Sequence, residues 1–326
     1  MRFVLKLDRG RKCVFANSLI VFQQILVMFL IMLLGYYLFR KKVFTNQTTK
    51  SLSELLNRYV MPCTLVRSFQ REFDSALAKE FGITLVCAAL VFVICIFLAK
   101  WIYRPERAEN YADRRVCLNL TNDGFMALPL LSAMFGSDGV FLGAAHICCM
   151  TIMLWTYSVY QLSHGREKMT VKNAVFNNPG LLAAIAGILL FLSPVKLPSV
   201  IYTAIDLTGD MNTPMAMICL GCFLAQVNLR ECFLDGALWR LSLLRLLVVP
   251  AITMVLLFFA PIGDTAALVL LVGVAAPCAI ACAMFSQVYG ADYLFATRAI
   301  ALTTLLSVVT LPGLIAVMEA VLRLRA

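Results

Sequence analysis

Long apolar runs separated by short polar connections recur along the whole chain. Six are unbroken, at Ser18–Phe39, Leu77–Tyr103, Val140–Leu162, Gly180–Leu192, Leu238–Ala260 and Thr297–Leu322. Four more, at Leu52–Phe69, Val116–Phe135, Val200–Gln226 and Thr265–Tyr289, are interrupted by Pro, Gly, Asn or charge. A spanning helix needs about 20 apolar residues. The pattern therefore predicts an all-α integral membrane protein with about ten transmembrane helices. Irregular backbone at membrane depth is tolerated only where protein or a cavity surrounds it. Broken runs thus point to a transporter or a channel.

The two kinds of run follow one order in each half: smooth, broken, smooth, broken, smooth. A short motif also recurs one half-chain later, with Gly, Asp and Phe in register. Phe135-Gly136-Ser137-Asp138-Gly139-Val140-Phe141 returns as Tyr289-Gly290-Ala291-Asp292-Tyr293-Leu294-Phe295, and Ala145 matches Ala299. Pro129 and Pro277 sit in the broken runs just before these motifs, and Pro62 and Pro214 pair in the earlier broken runs. The predicted organisation is an amino-terminal tail at 1–17, a first five-helix repeat at 18–165, a cytoplasmic linker at 166–176 and a second five-helix repeat at 177–326. An odd number of spans per repeat makes the pair inverted. With the amino terminus outside, inner connections collect Arg40, Lys41, Lys42, Lys50, Lys100, Arg104, Arg107, Arg114, Arg115, Arg166, Lys168 and Lys172. That excess favours this orientation, although the basic amino-terminal tail argues the other way.

Composition narrows the class. Of 326 residues, 61% are hydrophobic and 14% charged, against roughly 45–50% and about 25% in soluble domains. No room remains for a soluble catalytic domain, so no enzyme is expected. The net charge of +10 lies at run ends rather than in one patch, which excludes a nucleic-acid partner. No apolar run with a cleavage site follows the basic start, so a cleaved signal peptide is not expected. Most of the 12 cysteines lie inside apolar runs as small hydrophobes. Cys219 and Cys222 form a C-x-x-C, but with 2 His in the chain a metal site lacks ligands. No metal or other cofactor is expected.

The candidate chemistry sits at the prolines. Pro277 lies about midway along its run, where a proline removes a donor and clashes with the preceding turn. Pro129 and Pro277 should each split a span into half-helices and leave the following N–H groups, such as those of Cys278 and Ala279, unpaired. Those groups and the positive end of the half-helix dipole make an anion site. In an inverted pair the two breaks meet from opposite sides. The alternative is a pair of kinks in ordinary packing helices.

Several segments together resemble the auxin efflux carrier family, in its bacterial permease branch of malate and malonate carriers. They are the Asn-x6-Pro of Asn122 to Pro129 with Leu130-Leu131, Asn178-Pro179-Gly180, Asn212-Thr213-Pro214-Met215 leading to Leu220-Gly221, Ala275-Ala276-Pro277, Tyr289-Gly290-Ala291-Asp292 and Thr303-Thr304-Leu305-Leu306-Ser307. They cover nearly the whole chain in order. The resemblance implies a ten-helix elevator-type secondary transporter of organic anions. It implies a scaffold of helices one, two, six and seven that dimerises, and a transport domain of helices three to five and eight to ten. Helices four and nine would cross at their prolines. It also implies that Asn122 contacts the substrate carboxylate. Asp123 and Ala127 depart from the family pattern, which usually has a small neutral pair after the Asn and Gly two residues before the Pro. The expected substrate-binding residues are Asn122, Asp123, Gly124, Pro129, Pro277, Cys278 and Ala279.

Other polar residues inside the runs have two readings each. Asp123 either takes up a proton with the substrate or caps a half-helix. Asp206 and Asp210, on one helix face, are either functional intramembrane acids or groups near an aqueous end. His146 is either a proton relay or a packed core residue. Arg245 and Arg298 read as snorkelling or inter-helix partners. The sequence reading is a secondary carrier of mono- or dicarboxylates in a bacterial inner membrane, homodimeric, with protons as the candidate coupling ion. The alternatives are a non-transporting sensor on the same fold or an intramembrane hydrolase. Gly209-Asp210 lacks the Gly-x-Gly-Asp pattern of the aspartyl type.

Overall fold

The computed structural model describes residues 14–105, 110–165, 179–193 and 195–325, with side chains from residue 22 onward. The tail at 1–13, Arg107, the linker at 166–176 and Asn178 lie outside the described residues. Among the described residues every named element is helical, and the one extended pairing is an isolated antiparallel bridge between Thr121 and Cys278. The order is α1 (Val14–Arg40), α2 (Asn46–Leu55), α3 (Met61–Phe69), α4 (Ser75–Ile102), α5 (Tyr111–Asn119), α6 (Leu128–Met153), α7 (Val159–Leu162) and α8 (Pro179–Leu192). It continues with α9 (Ser199–Asp210), α10 (Asn212–Ala225), α11 (Leu229–Leu234), α12 (Gly236–Leu243), α13 (Val249–Phe259), α14 (Asp264–Ala275), α15 (Ile280–Val288) and α16 (Tyr293–Arg325). Among the described residues five continuous stretches are long and apolar enough to cross a membrane: Phe22–Arg40, Ser75–Ile102, Asp123–Leu162, Gly236–Phe259 and Tyr293–Arg325. Large apolar side chains such as Leu30, Phe97, Trp101, Phe259 and Val309 are exposed along them, as a lipid-facing surface requires. This is an all-α membrane protein.

Local chemistry sets the helix ends and bends. Asp74 accepts from the Ala76 N–H at 2.8 Å and so caps α4, and Asp235 does the same for α12 through Ala237. Three prolines, Pro62, Pro129 and Pro250, each follow a π-helical turn, at Leu56–Val60, Asp123–Ala127 and Leu244–Val248. A wider i→i+5 turn moves away the carbonyl that a proline ring would strike, so these helices continue through their prolines. The recurrent motifs form sharp turns at Gly136 (φ 60°) and Gly290 (φ 67°), a backbone region that glycine enters without a Cβ penalty. The 40-residue stretch from Asp123 to Leu162 is thereby divided at Gly136.

The elements pack in two groups. In the first, α1 crosses α10 closely enough that a Cβ on Gly35 would lie 2.1 Å from the Ile218 carbonyl oxygen. The α3 helix packs on α8 and α9, where Arg67 reaches Asp206 at 3.0 Å and Asp210 at 2.6 Å. In the second group α4 and α14 pack on α6, and α14 and α15 pack on α16. The groups meet where Phe69 packs on Phe141, ring centres 4.8 Å apart, and where Arg71 pairs with Asp138 at 2.6 Å.

Candidate functional site

The site forms where two chain breaks cross. Between α5 and the π turn at Asp123 the chain leaves the helix at Leu120, which is extended, and bridges through Thr121 to Cys278, while Ala276 and Ala279 are extended between α14 and α15. Asn122 N–H donates to the Pro277 carbonyl at 2.9 Å, and Ala279 N–H donates to the Leu120 carbonyl at 3.1 Å. Each break thus satisfies the backbone groups that the other leaves open. The second break falls at Pro277, where the sequence places it. The first does not fall at Pro129. That residue lies in the first turn of α6, beyond the π turn that accommodates it. Asn122, not Pro129, stands opposite Pro277.

The donors also shift. Cys278 N–H is taken by Thr303 Oγ1 at 3.2 Å, and its thiol donates to the Cys117 carbonyl at 3.1 Å. Ala279 N–H is spent on the crossing. Neither N–H is open to a ligand, contrary to the expectation from proline placement. The N–H groups without a partner inside their own helix are those of Gly124 and Phe125 on one side, and Ile280 and Ala281 on the other. Gly124 and Ala281, at the two half-helix starts, are half-buried, whereas their neighbours are buried. A Cβ on Gly124 would lie 3.0 Å from Met61 Sδ, so this start faces α3. Asn122 is buried, and its Nδ2 has no hydrogen-bond partner among the described residues. The crossing therefore offers a side-chain amide donor and two positive half-helix ends, the chemistry that suits a small anion.

Behind the crossing lies a buried charged set. Asp123 accepts from Thr121 Oγ1 at 2.6 Å, and its other oxygen lies 3.1 Å from His146 Nδ1. The His146 ring stacks on Phe92 at 5.1 Å. Arg245, 1% exposed, donates through Nη2 to the Ala276 carbonyl at 2.9 Å, the last carbonyl before Pro277. It does not snorkel. Asp206 and Asp210 are not at the crossing but pair with Arg67, and Arg298 pairs with Glu231. Thr121, Thr303, Ile280 and Ala281 are site residues that sequence reasoning missed. The Thr303 run was visible as part of the family resemblance.

The sequence profile described as membrane transport protein, that of the auxin efflux carriers, matches residues 20–176 and 167–315. The chain belongs to this family. It is 25% identical over 301 residues to an uncharacterized transporter of Methanocaldococcus jannaschii, covering 88% of this chain and 95% of that protein. A Methanothermobacter thermautotrophicus uncharacterized transporter is 24% identical over 293 residues, covering 89% of this chain and 96% of its own length. Escherichia coli K12 YfdV, also an uncharacterized transporter, is 24% identical over 215 residues, covering 62% of this chain and 68% of YfdV. Family and relatives together make this chain a membrane transporter.

Proposed function

We propose that this transporter is a secondary active carrier of small organic carboxylates, working by elevator-type alternating access with the anion held at the crossing. The observation that carries the reading is the buried, unpartnered Asn122 amide beside two half-helix N-termini. The repeats at 18–165 and 177–326, joined by the 166–176 linker, form an inverted pair. The group containing α1, α2, α3, α8, α9 and α10 is the scaffold and homodimer interface, and the remainder moves. The close packing within each group and the narrower meeting surface around Phe69, Arg71 and Asp138 support this division. The expected location is a bacterial inner membrane.

A thermal-shift screen of the purified protein against mono- and dicarboxylates tests the reading, with stabilisation by at least one of them expected. Asn122→Ala should weaken that ligand by about 1–3 kcal/mol, the usual penalty for a buried polar group left unpaired. The variant should assemble, because the crossing uses the backbone of Asn122 and not its side chain. Unchanged affinity would mean that Asn122 only packs. The orientation is tested by single-cysteine labelling on a cysteine-depleted background. The linker should react only from the cytoplasmic side and the carboxy terminus only from outside. A carboxy terminus protected in intact cells contradicts the five-plus-five arrangement.

A further inference from the structure

The charges behind the crossing constrain what can be carried. Asp123 and His146 are 1% and 2% exposed, and Arg245 is 1% exposed. Thr121 donates to one oxygen of Asp123 and His146 Nδ1 lies 3.1 Å from the other, so with Asp123 ionised the His146 Nδ1 is the nitrogen bearing hydrogen. His146 Nε2 is buried without a partner among the described residues. A cavity of 10 Å³ adjoins the pair, lined by Asp123, Leu131, Gly143, His146, Val269 and Gly273 among others. That is about the lower limit for one water molecule. Gly273 of α14 presses on the ring, since a Cβ there would lie 2.9 Å from Nδ1. The charged or titratable groups that face the pair are Arg245 from the π turn before α13 and Cys149 from α6. Cys95 of α4 and Cys278 and Cys282 at the second break face Arg245. Among the described residues Asp123 is the one carboxylate within 4.0 Å of His146, and none lies that close to Arg245, whose guanidinium donates to the Ala276 carbonyl.

We propose that His146 takes up one proton for each anion bound, that Asp123 and Arg245 supply fixed and opposite charges, and that the carried anion is therefore monovalent. This rests on the organic-anion reading and narrows it. With neutral His146 the empty site holds Arg245 plus and Asp123 minus, a net charge of zero. A bound monocarboxylate adds one negative charge. Protonation of His146 at its open Nε2 restores neutrality while the Nδ1 hydrogen bond to Asp123 persists. Imidazole is the side chain that changes charge near neutral pH. Uncompensated charge in an apolar interior is costly, so only the empty neutral form and the proton-plus-anion form move readily. A dianion would leave the loaded site negative. Because binding consumes a proton, affinity falls as pH rises.

Calorimetric titration of the full-length protein in buffers of different ionisation enthalpy counts protons per bound anion. The probes are potassium lactate and potassium benzoate as monoanions and potassium malate as a dianion, at pH 7.5. Wild type should take up about one proton per monoanion and bind malate more weakly. Asp123→Asn, nearly isosteric, leaves Arg245 uncompensated, so it should bind the monoanion with no proton uptake and with pH-independent affinity. His146→Gln cannot supply the charge and should bind roughly 100-fold or more weakly, as for a buried charge left unpaired. These opposite effects separate a charge role from a packing role. Anion binding without proton uptake by wild type, equal loss in both variants, or tighter malate than lactate binding overturns this inference alone. Wild-type protein that binds none of the probes overturns the organic-anion reading and this inference with it.

Discussion

Arg245→Met should destabilise the protein by about 1–3 kcal/mol, the cost of leaving the buried Ala276 carbonyl without its charged donor. The side chain is nearly the largest group in the interior, 1% exposed, and it also satisfies the Ala276 carbonyl at the second break. Methionine fills much of the volume but leaves that carbonyl without a donor and removes the cation whose field acts on the Asp123 carboxylate. Adding Asp123→Asn removes the uncompensated charge, so the double variant should regain part of the lost melting temperature. A double-mutant cycle in detergent measures the coupling directly. Losses that merely add would show that Arg245 and Asp123 are independent, and the charge balance behind the crossing would then have no basis.

The second large effect lies where α1 crosses α10. Gly221→Val should separate α1 from α10, because a Cβ on Gly221 would lie 1.9 Å from the Met32 carbonyl oxygen and 2.7 Å from the Tyr36 nitrogen. Those are backbone atoms and cannot turn aside. Overpacking typically costs about 1–3 kcal/mol, and a clash with backbone on both sides belongs at or above the upper end. Gly35→Val should behave alike, since its Cβ position meets the Ile218 backbone. Small residues that let helices approach closely are the common membrane packing device. Gly82→Ala provides the contrast. A Cβ there meets nothing within 4 Å, so this helical position should be stabilised by about 0.5–1 kcal/mol. Melting temperatures of the three variants check the set. A Gly221→Val protein as stable as wild type would contradict the close α1–α10 crossing.

Much of this architecture was legible in the sequence because membrane-spanning helices announce themselves by composition over whole runs. The recurrent motif at Gly136 and Gly290 was legible as a repeat, and the structure turns sharply at both glycines, each with positive φ. The first break was misplaced for a definite reason. A proline does not interrupt a helix when a π turn precedes it, and nothing in the letters Asp123-Gly124-Phe125-Met126-Ala127 announces such a turn. Starting the half-helix directly after Pro277 put the open N–H groups on Cys278 and Ala279, which Thr303 and the crossing occupy. Partnerships between distant residues were out of reach for a different reason. His146 lies on α6 and Arg245 beside α13, and only folding brings both behind Asp123. Alone, each charged group near a span end looks like a snorkelling side chain. Asp206 and Asp210 had two readings, as functional intramembrane acids or as groups near an aqueous end, and their shared partner Arg67 was equally out of reach of the sequence.

The central claim, that the crossing carries an organic anion across the membrane, is tested most directly by counterflow. Proteoliposomes are loaded with the carboxylate that stabilises the protein most and diluted into a trace of the same compound carrying a radiolabel. A carrier exchanges the two, so label should accumulate transiently above its equilibrium level, and Asn122→Ala should reduce that peak in step with its weaker binding. Label that stays at the level of protein-free liposomes, from a protein that still binds the carboxylate, would contradict transport and leave a sensor built on a carrier fold.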